Sequence, residues 1–209
     1  METRAPKIDH APSPSSAGLS ERRRLRVRTA MGLLLCSALM LGSARAGGEN
    51  DDDGEYRLKL AFIYNFAQFT QWPPEAFRDP AAPLTVCVVG QDPFAGEMEQ
   101  TLHGRRAAGH PVEIKRLKLE DDPKGCHMIF VRANEKRAAG KILSAVRGSN
   151  TLTVGESRGF AELGGVINLV LDDNKLRFEV NLNAATQSRL RISSKVLALA
   201  KIVSTERTP

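Results

Sequence analysis

Reactive side chains are few in this sequence, and the first to consider is Ser157. It stands between two glycines in the segment Gly155-Glu156-Ser157-Arg158-Gly159. A serine nucleophile needs a base within hydrogen-bond reach, and no histidine is close in the sequence, although one could approach in space. The phosphate loop that ends in Gly-Lys-Ser/Thr and the His-Glu-x-x-His motif are both absent. We therefore favour a structural loop at the end of a strand over a hydrolase centred on Ser157.

Metal chemistry would need histidines and cysteines at suitable spacings. His103, His110 and His127 show no such spacing among themselves. Cys126 and His127 are adjacent, so on a strand their side chains would point to opposite faces, and no second spaced pair of ligands accompanies them. The sequence therefore predicts no metal site, no cofactor and no enzymatic activity.

The first 46 residues have the features of an export signal. Arginines at positions 22, 23, 24, 26 and 28 precede an apolar run, residues 30–42, of about 13 residues, whereas a membrane span needs about 20. The pattern Ala44-Arg45-Ala46 that follows is typical of a signal peptidase site. We predict cleavage near Ala46 and a location in the periplasm.

Removal of this segment changes the charge of the protein. The whole chain has 30 basic and 24 acidic residues. The first 46 residues hold 8 of the basic and 3 of the acidic ones, which leaves 22 against 21. A nucleic-acid-binding domain usually carries a basic stripe, so this balance gives no case for nucleic acid as a partner.

The same cleavage leaves two cysteines, because Cys36 lies in the removed segment. An oxidising compartment and two remaining cysteines favour a disulfide between Cys87 and Cys126. Cys87 lies within a predicted buried strand and Cys126 directly before another, and neighbouring strands can bring two sulfurs within bonding range. Two separate buried thiols remain the alternative.

The elements that would position these residues alternate between helices and strands. A helix over Glu55–Trp72, ended by Pro73-Pro74, comes first. Further helices are predicted from Asp92 to about Leu102 and from Asn134 to Ala145. Four strands are predicted, at Leu84–Val89, His110–Leu117, Met128–Val131 and Thr151–Val154. This order predicts an α/β fold, with a largely parallel sheet flanked by helices.

The end of the chain has a different pattern. Strands at Val166–Leu171 and Leu176–Val180 flank Asp173-Asn174, which can take the positive φ angles of a tight turn, so we predict an antiparallel hairpin. A final helix is predicted from Ala184 or Ser188 to Val203. We divide the chain into a signal peptide (1–46), a flexible acidic leader (47–54), one α/β domain (55–204) and a short tail (205–209).

The first predicted helix is unusually aromatic. Six of the chain's eleven aromatic residues lie between Tyr56 and Trp72. A core helix is the plainer interpretation, but the apolar residues extend beyond one face of the helix. Candidates for contact with a partner protein are therefore Phe62, Phe66, Phe69 and Trp72.

Open parallel sheets bind ligands at the carboxyl ends of their strands. Two loops predicted there, Gly90–Phe94 and Ser157–Phe160, are candidate ligand contacts, and Phe160 is the apolar candidate among them. Arg189, Arg191 and Lys195 cluster near the start of the predicted last helix. A solvated charged face explains this cluster most simply, and we take Arg191 from it as a second ligand-binding candidate.

Several stretches together resemble the YfiR family of periplasmic proteins. The resemblance covers about Glu55 to Val203. Its early part is Lys59-Leu60-Ala61-Phe62-Ile63-Tyr64-Asn65-Phe66 and Val86-Cys87-Val88-Val89-Gly90. Its most specific part is Gly165-Val166-Ile167-Asn168-Leu169, Arg177-Phe178-Glu179-Val180-Asn181 and Arg191-Ile192-Ser193-Ser194-Lys195-Val196-Leu197.

The resemblance implies a non-enzymatic repressor in the periplasm. Such a protein binds the periplasmic sensor domain of an inner-membrane diguanylate cyclase and lowers cyclic-di-GMP output and biofilm formation. An OmpA-like outer-membrane lipoprotein can sequester it, and it forms a homodimer. Cys87 and Cys126 match one family disulfide, whereas a second cysteine pair of the family is missing here. An alternative function is a periplasmic small-ligand binding module of a sensor or transport system.

Overall fold

The computed structural model describes residues 49–94 and 96–204, and the structural statements below concern these residues. The predicted signal peptide, the site near Ala46, Cys36 and the tail at 205–209 lie outside them. No helix in the described ranges is long and apolar enough to cross a membrane.

Helix α1 spans Glu49–Gln68. Its buried residues recur at helical spacing, and they are Leu60, Ile63, Phe66 and Ala67. The helix begins six residues before the predicted start, so residues 49–54, assigned above to a flexible leader, are helical. Acidic residue types, which dominate this stretch, are favoured in the first turns of a helix.

The aromatic helix is also shorter at its carboxyl end than predicted. It stops at Gln68, because Thr70–Gln71 form a short strand, β1, which pairs antiparallel with a strand at Arg191–Ile192. Trp72 therefore follows a strand and does not lie on α1. The chain then makes a single helical turn at Pro74–Ala76.

A sheet of eight strands forms the centre of the structure. Its strands are β2 (Leu84–Val89), β3 (Arg106–Ala107), β4 (His110–Leu117), β5 (Met128–Val131), β6 (Leu152–Gly155), β7 (Ile167–Asp172), β8 (Lys175–Asn181) and β10 (Lys201–Val203), and β9 is Arg191–Ile192 in the separate sheet with β1. The order across the large sheet is β10-β8-β7-β6-β5-β2-β4-β3. Only the β7–β8 and β3–β4 pairs are antiparallel. The predicted α/β class with a largely parallel sheet is confirmed.

The helices between the strands agree with prediction in position but not in every boundary. Helix α2 spans Glu97–Leu102 and α3 spans Lys136–Ala145. The second of the predicted helices was expected to begin at Asp92. Instead, the Asp92 side chain accepts a hydrogen bond from the Phe94 backbone N–H at 2.8 Å. The turn does not continue as a helix, because Gly96 has a φ of 87°, which a right-handed helix does not accommodate, and α2 therefore begins only at Glu97.

The hairpin is confirmed. Strands β7 and β8 pair in register from Ile167↔Val180 to Asp172↔Lys175. Asp173 and Asn174 have φ angles of 47° and 56°, which are the positive values that a two-residue turn of this hand requires.

The predicted final helix is wrong. The segment instead forms α4 (Leu182–Gln187), β9, α5 (Ser194–Leu197) and β10. Arg189 has a φ of 54°, which a right-handed helix does not accommodate. The backbone beyond it pairs with β1, and the Ser193 N–H donates to the Phe69 carbonyl at 2.9 Å. Tertiary pairing has thus overridden an apolar spacing that suits a helix.

Two hydrophobic cores cover the two faces of the sheet. The larger core contains the buried side of α1 with Val86, Phe130 and Phe178. The smaller one contains the buried side of α3, together with Phe160 and both remaining cysteines. The predicted disulfide is present: Cys87 in β2 is bonded to Cys126, two residues before β5, with their Cα atoms 5.9 Å apart.

Candidate interaction site

The four aromatic residues proposed to meet a partner have different environments. Phe66 is only 2% exposed and packs against Phe178, with 5.0 Å between ring centroids. Phe62 is half-buried and contacts the same two rings. Phe66 therefore belongs to the core and presents no surface to a partner. Phe69 and Trp72, which are half-buried and border β1, are better placed.

The small sheet brings basic residues to these aromatic rings. Gln71 of β1 lies opposite Arg191 of β9. The Lys195 ammonium lies 5.7 Å from the centroid of the Phe69 ring, within the range of a cation–π contact. We call Phe69, Trp72, Arg191 and Lys195 the β1–β9 patch. The backbone pairing thus places one ligand-binding candidate, Arg191, opposite the residue that precedes Trp72.

The patch carries positive charge that the rest of the described chain does not neutralise. Arg191 and Lys195 are exposed, and neither forms an ion pair with another described residue. The third member of the basic cluster, Arg189, is 3.5 Å from Glu75 in an exposed ion pair. An aromatic surface with two unneutralised cations suits an acidic partner.

His127 holds the loop that follows β1 in place. The Trp72 indole N–H donates to the His127 carbonyl at 3.2 Å. The His127 ring accepts the Thr85 N–H at Nδ1 and contacts the Ala76 carbonyl through Nε2, both at 3.0 Å. Since Nδ1 accepts, Nε2 carries the proton and donates to Ala76. Burial lowers the pKa of His127 and keeps this ring neutral.

A buried ion pair fills the position where an open α/β sheet usually binds its ligand. That position is the switch point between the carboxyl ends of β2 and β5, where the chain changes direction across the sheet. Nearby, Lys59 of α1 lies 2.5 Å from Glu156, which follows β6. Their side chains are 7% and 3% exposed. Glu156 also accepts the Tyr56 hydroxyl at 3.1 Å and the Ala133 N–H at 3.0 Å.

The charges of this cluster are set by its own members. Burial alone would lower the pKa of Lys59, but hydrogen bonds to Glu156 and Glu55 outweigh it, so the pKa of Lys59 is raised. Burial raises the pKa of Tyr56, against the effect of a hydrogen bond from Arg132. The two α1 side chains and Glu156 therefore satisfy one another. We call Tyr56, Lys59, Arg132 and Glu156 the switch-point plug.

Sequence reasoning missed the plug, although a signal was present. Lys59 lies four residues before Ile63 on the buried side of α1, and Ile63 is fully buried. A lysine at such a position must find a buried carboxylate. The sequence does not identify Glu156 as that carboxylate, because 97 residues separate it from Lys59.

The other ligand-binding candidate, Phe160, lies in the smaller core and is 0% exposed. Its ring fills the space beside Gly155 and Gly165, where an added Cβ would overlap the ring. The Phe160 ring is therefore the reason that positions 155 and 165 accommodate only glycine, and it has no exposed surface for a ligand. It does not belong to the β1–β9 patch that contains Arg191.

Ser157 is not placed for nucleophilic catalysis. Its segment has the Gly-x-Ser-x-Gly spacing of a nucleophile elbow, but an elbow needs a strand, a sharp turn and a helix. Here β6 is followed by turns through Gly164, and the serine is buried. His110 and His127 are distant, because His110 begins β4 and His127 directly precedes β5, whereas Ser157 follows β6 at the opposite end of these parallel strands.

A sequence model of the YfiR/HmsC-like family matches residues 56–201. The chain belongs to the YfiR/HmsC-like family. The matched range begins at Tyr56 of the plug and includes the whole β1–β9 patch. This family is regulatory and non-catalytic, and membership supports a role as a periplasmic regulator.

Solved structures give only a distant likeness. One is a conserved domain protein from Vibrio cholerae, with 16% identity and a TM-score of 0.41 over 57% of this chain and 54% of that one. Another is an ABC domain in complex with L-Trp from Streptococcus pneumonia, with 14% identity and a TM-score of 0.41 over 57% and 55% of the two chains. The chain thus matches about half the length of each of these structures.

Proposed function

We propose that this member of the YfiR/HmsC-like family binds the periplasmic sensor domain of an inner-membrane diguanylate cyclase and represses the enzyme. The observation that carries the proposal is the family match over residues 56–201. Repression would lower cyclic-di-GMP and biofilm formation. The protein would act by recognition, without catalysing a reaction.

The β1–β9 patch is the surface that best suits this recognition. Binding energy at protein interfaces concentrates in a few residues, and tryptophan and arginine are enriched among them. Trp72 and Arg191 are both present here, with Lys195 beside the Phe69 ring. The exposed cations at Arg191 and Lys195 favour an acidic surface on the sensor domain.

Regulation needs only a difference in affinity between two partners. If the cyclase is inactive when this protein is bound, a competitor that binds the free protein more tightly releases the cyclase. An OmpA-like outer-membrane lipoprotein is the proposed competitor, and a homodimer is the proposed form of the repressor. The Cys87–Cys126 bond supports a location in the oxidising periplasm.

Deletion of the gene tests the proposal in the native bacterium. We expect cyclic-di-GMP to rise after deletion and to return to its original value when an exported copy is supplied. A copy without residues 1–46 should not restore repression. Unchanged cyclic-di-GMP in cells that express the partner cyclase would contradict the proposal.

Charge reversal then tests the patch. The variant Arg191→Glu/Lys195→Glu should be exported and folded but should fail to restore repression. The matched control, Lys141→Glu/Arg147→Glu, makes the same charge change at exposed positions of α3 and the turn after it. Restoration by both variants would exclude the patch while leaving the repressor function intact.

The alternative function, a small-ligand binding module of a sensor or transport system, needs a cavity. The plug occupies the strand-end position that such proteins commonly use, and Phe160 is buried. A groove of about 650 Å³ beside β1, whose lining includes Thr70, Trp72, Phe77 and His110, offers a different space and is the observation that favours this alternative. We call it the β1 groove.

A further inference from the structure

Two histidines hold the loop at residues 73–83, which connects β1 to β2, through a single aromatic ring. Phe77 lies between His110 and His127, with ring centroids 3.6 and 4.4 Å away and planes inclined by 6° and 12°. The same two histidines contact the backbone of the loop. His110 Nδ1 is 2.8 Å from the Ala82 carbonyl oxygen, and His127 Nε2 is 3.0 Å from that of Ala76. The position of the loop therefore depends on both imidazole rings.

The two histidines differ in what a second proton would cost them. His110 Nδ1 faces a carbonyl, which only accepts, so Nδ1 carries the proton, and protonation at Nε2 would break no hydrogen bond among the described residues. In His127 both nitrogens are engaged, because Nδ1 accepts the Thr85 N–H while Nε2 donates to Ala76. A charged imidazole can only donate. A proton on His127 Nδ1 would therefore face the Thr85 N–H and expel the ring from its place.

The surroundings of His127 do not compensate for a positive charge on its ring. Glu75 pairs with Arg189, and within the described ranges neither Glu75 nor Glu113 forms an ion pair with His127. His110 on the far side of Phe77 would add a second positive charge, and Asp79 lines the β1 groove instead. The charged side chains that share a groove with His127 comprise three cations and two carboxylates, all exposed: Arg78, Lys115, Lys124, Glu75 and Glu113.

The same histidine also holds a residue of the β1–β9 patch. The Trp72 indole N–H donates to the His127 carbonyl at 3.2 Å, and Trp72 directly precedes the loop. Departure of the His127 ring would remove one face of the stack on Phe77 and the bond to Ala76, and the loop would then no longer hold Trp72 against that carbonyl. We propose that His127 is an acid-sensitive switch, whose protonation releases the loop at residues 73–83 and frees Trp72.

The direction of the switch follows from linkage. Burial lowers the pKa of His127 while the loop is closed, whereas in the open state the ring is in water, with a pKa near its ordinary value of about 6.5. The open state therefore binds the proton more readily. The closed loop is favoured above about pH 6.5, and the ratio of open to closed loops rises by up to about tenfold per pH unit as the pH falls below this value, until the pKa of the closed state is reached.

The purified mature protein is sufficient for the test. Trp72 is the chain's single tryptophan, so its fluorescence reports on the end of the loop. Between about pH 8 and about pH 5 we expect a reversible shift of the emission to longer wavelength, with a midpoint below about 6.5 and an unchanged far-ultraviolet circular dichroism spectrum. In NMR spectra the His127 ring and the Trp72 indole N–H should share this midpoint. Protonation of His127 without a response at Trp72 would overturn the proposal.

Three variants assign the transition to His127. His127→Asn keeps an acceptor for Thr85 but does not titrate, so the fluorescence transition should disappear. The matched control His103→Asn, at an exposed position outside the loop, should retain it. Phe77→Leu keeps both histidines and loses the stacking, so its transition should move to higher pH; this variant serves if His127→Asn does not fold. A transition that persists in His127→Asn, or one that stays in place in Phe77→Leu, would contradict the switch.

The consequence for repression rests on the function proposed above. If the β1–β9 patch holds the sensor domain, acid should weaken that binding in the wild type more than in His127→Asn. A Trp72 transition accompanied by pH-independent binding would support the switch and would exclude Trp72 from the interface. The two failures can thus be distinguished, because the fluorescence measurement needs no partner.

Discussion

The switch-point plug and the β1 groove are both built around α1 and the residues that directly follow it, yet they treat polar groups in opposite ways. In the plug, the Glu156 carboxylate receives Lys59, the Tyr56 hydroxyl and the Ala133 N–H. In the groove, the Thr70 hydroxyl is buried and has no partner within the described ranges. The plug occupies the usual ligand position of this kind of sheet, whereas the groove is open.

The difference shows that a position in a fold does not by itself identify a binding site. Polar groups that satisfy one another hold α1 to the sheet and leave nothing for a ligand. The Thr70 hydroxyl has no partner among the described residues, but it is buried and is not available to a ligand in the open groove. Both regions can be tested by removing one polar group at a time and measuring stability.

The largest expected effect is at the plug. Lys59→Met would leave the Glu156 carboxylate buried without its cation, and we expect a loss of about 3–5 kcal/mol in the free energy of unfolding. Urea denaturation provides the measurement. Arg177→Met removes an exposed ion pair with Asp172 and should cost less than about 1 kcal/mol. The plug would lose its structural role if both variants had the same small effect.

Removal of the disulfide should loosen the loop beside the β1 groove more than it loosens the switch-point plug. Cys126 directly precedes His127, which holds the loop around Ala76. Paired Cys87→Ala/Cys126→Ala substitution should lower the free energy of unfolding by roughly 2–5 kcal/mol. Hydrogen exchange should show faster exchange at the Thr85 N–H, with the Ala133 N–H in the plug less affected. Unchanged melting under reducing conditions would show that the bond contributes little.

Two threonines give the sharpest comparison. The Thr153 hydroxyl accepts the Val166 N–H at 2.9 Å, so Thr153→Val should cost about 1–3 kcal/mol by leaving that N–H unsatisfied. Thr70→Val removes a hydroxyl that has no partner and should leave stability unchanged or raise it. Thermal denaturation of the two variants measures both. An equal loss in both would mean that Thr70 is satisfied within the protein.

The smallest effect is the dependence of stability on pH through His127. Burial lowers the pKa of His127 in the folded state, so the folded protein binds this proton less readily than the unfolded chain. The contribution of His127 is therefore complete above the unfolded pKa of about 6.5 and is lost as the pH falls below it. His127→Asn keeps an acceptor for Thr85 and should reduce this pH dependence. The exposed His103→Asn should retain it, and an identical pH profile for wild type and His127→Asn would contradict this account.

Local signals explain why most of the sheet could be predicted. Strand Leu84–Val89 was predicted with the bounds that the structure has, because a continuous apolar run is typical of a strand buried on both faces. The hairpin turn could be predicted from Asp173-Asn174, because aspartate and asparagine tolerate positive φ angles. The segment after Asn181 failed because pairing with β1, about 120 residues earlier in the chain, decides its conformation.

The proposed interaction surface could be predicted only in part by the same reasoning. Phe69, Trp72 and Arg191 were named from sequence, but their proximity depends on the β1–β9 pairing that the predicted final helix excluded. Phe66 and Phe160 were named for their aromatic character, and their burial could not be read from type alone. The β1 groove depends on the loop at residues 73–83, whose position is set by His110 and His127.

The central claim is that the β1–β9 patch holds a cyclase sensor domain. The most direct measurement is the affinity of the purified mature protein for the purified periplasmic domain of the cyclase. The account predicts saturable binding by the wild type, at least about tenfold weaker binding by Arg191→Glu/Lys195→Glu, and unchanged binding by Lys141→Glu/Arg147→Glu. Equal affinity in all three proteins, or no binding by the wild type, would contradict it.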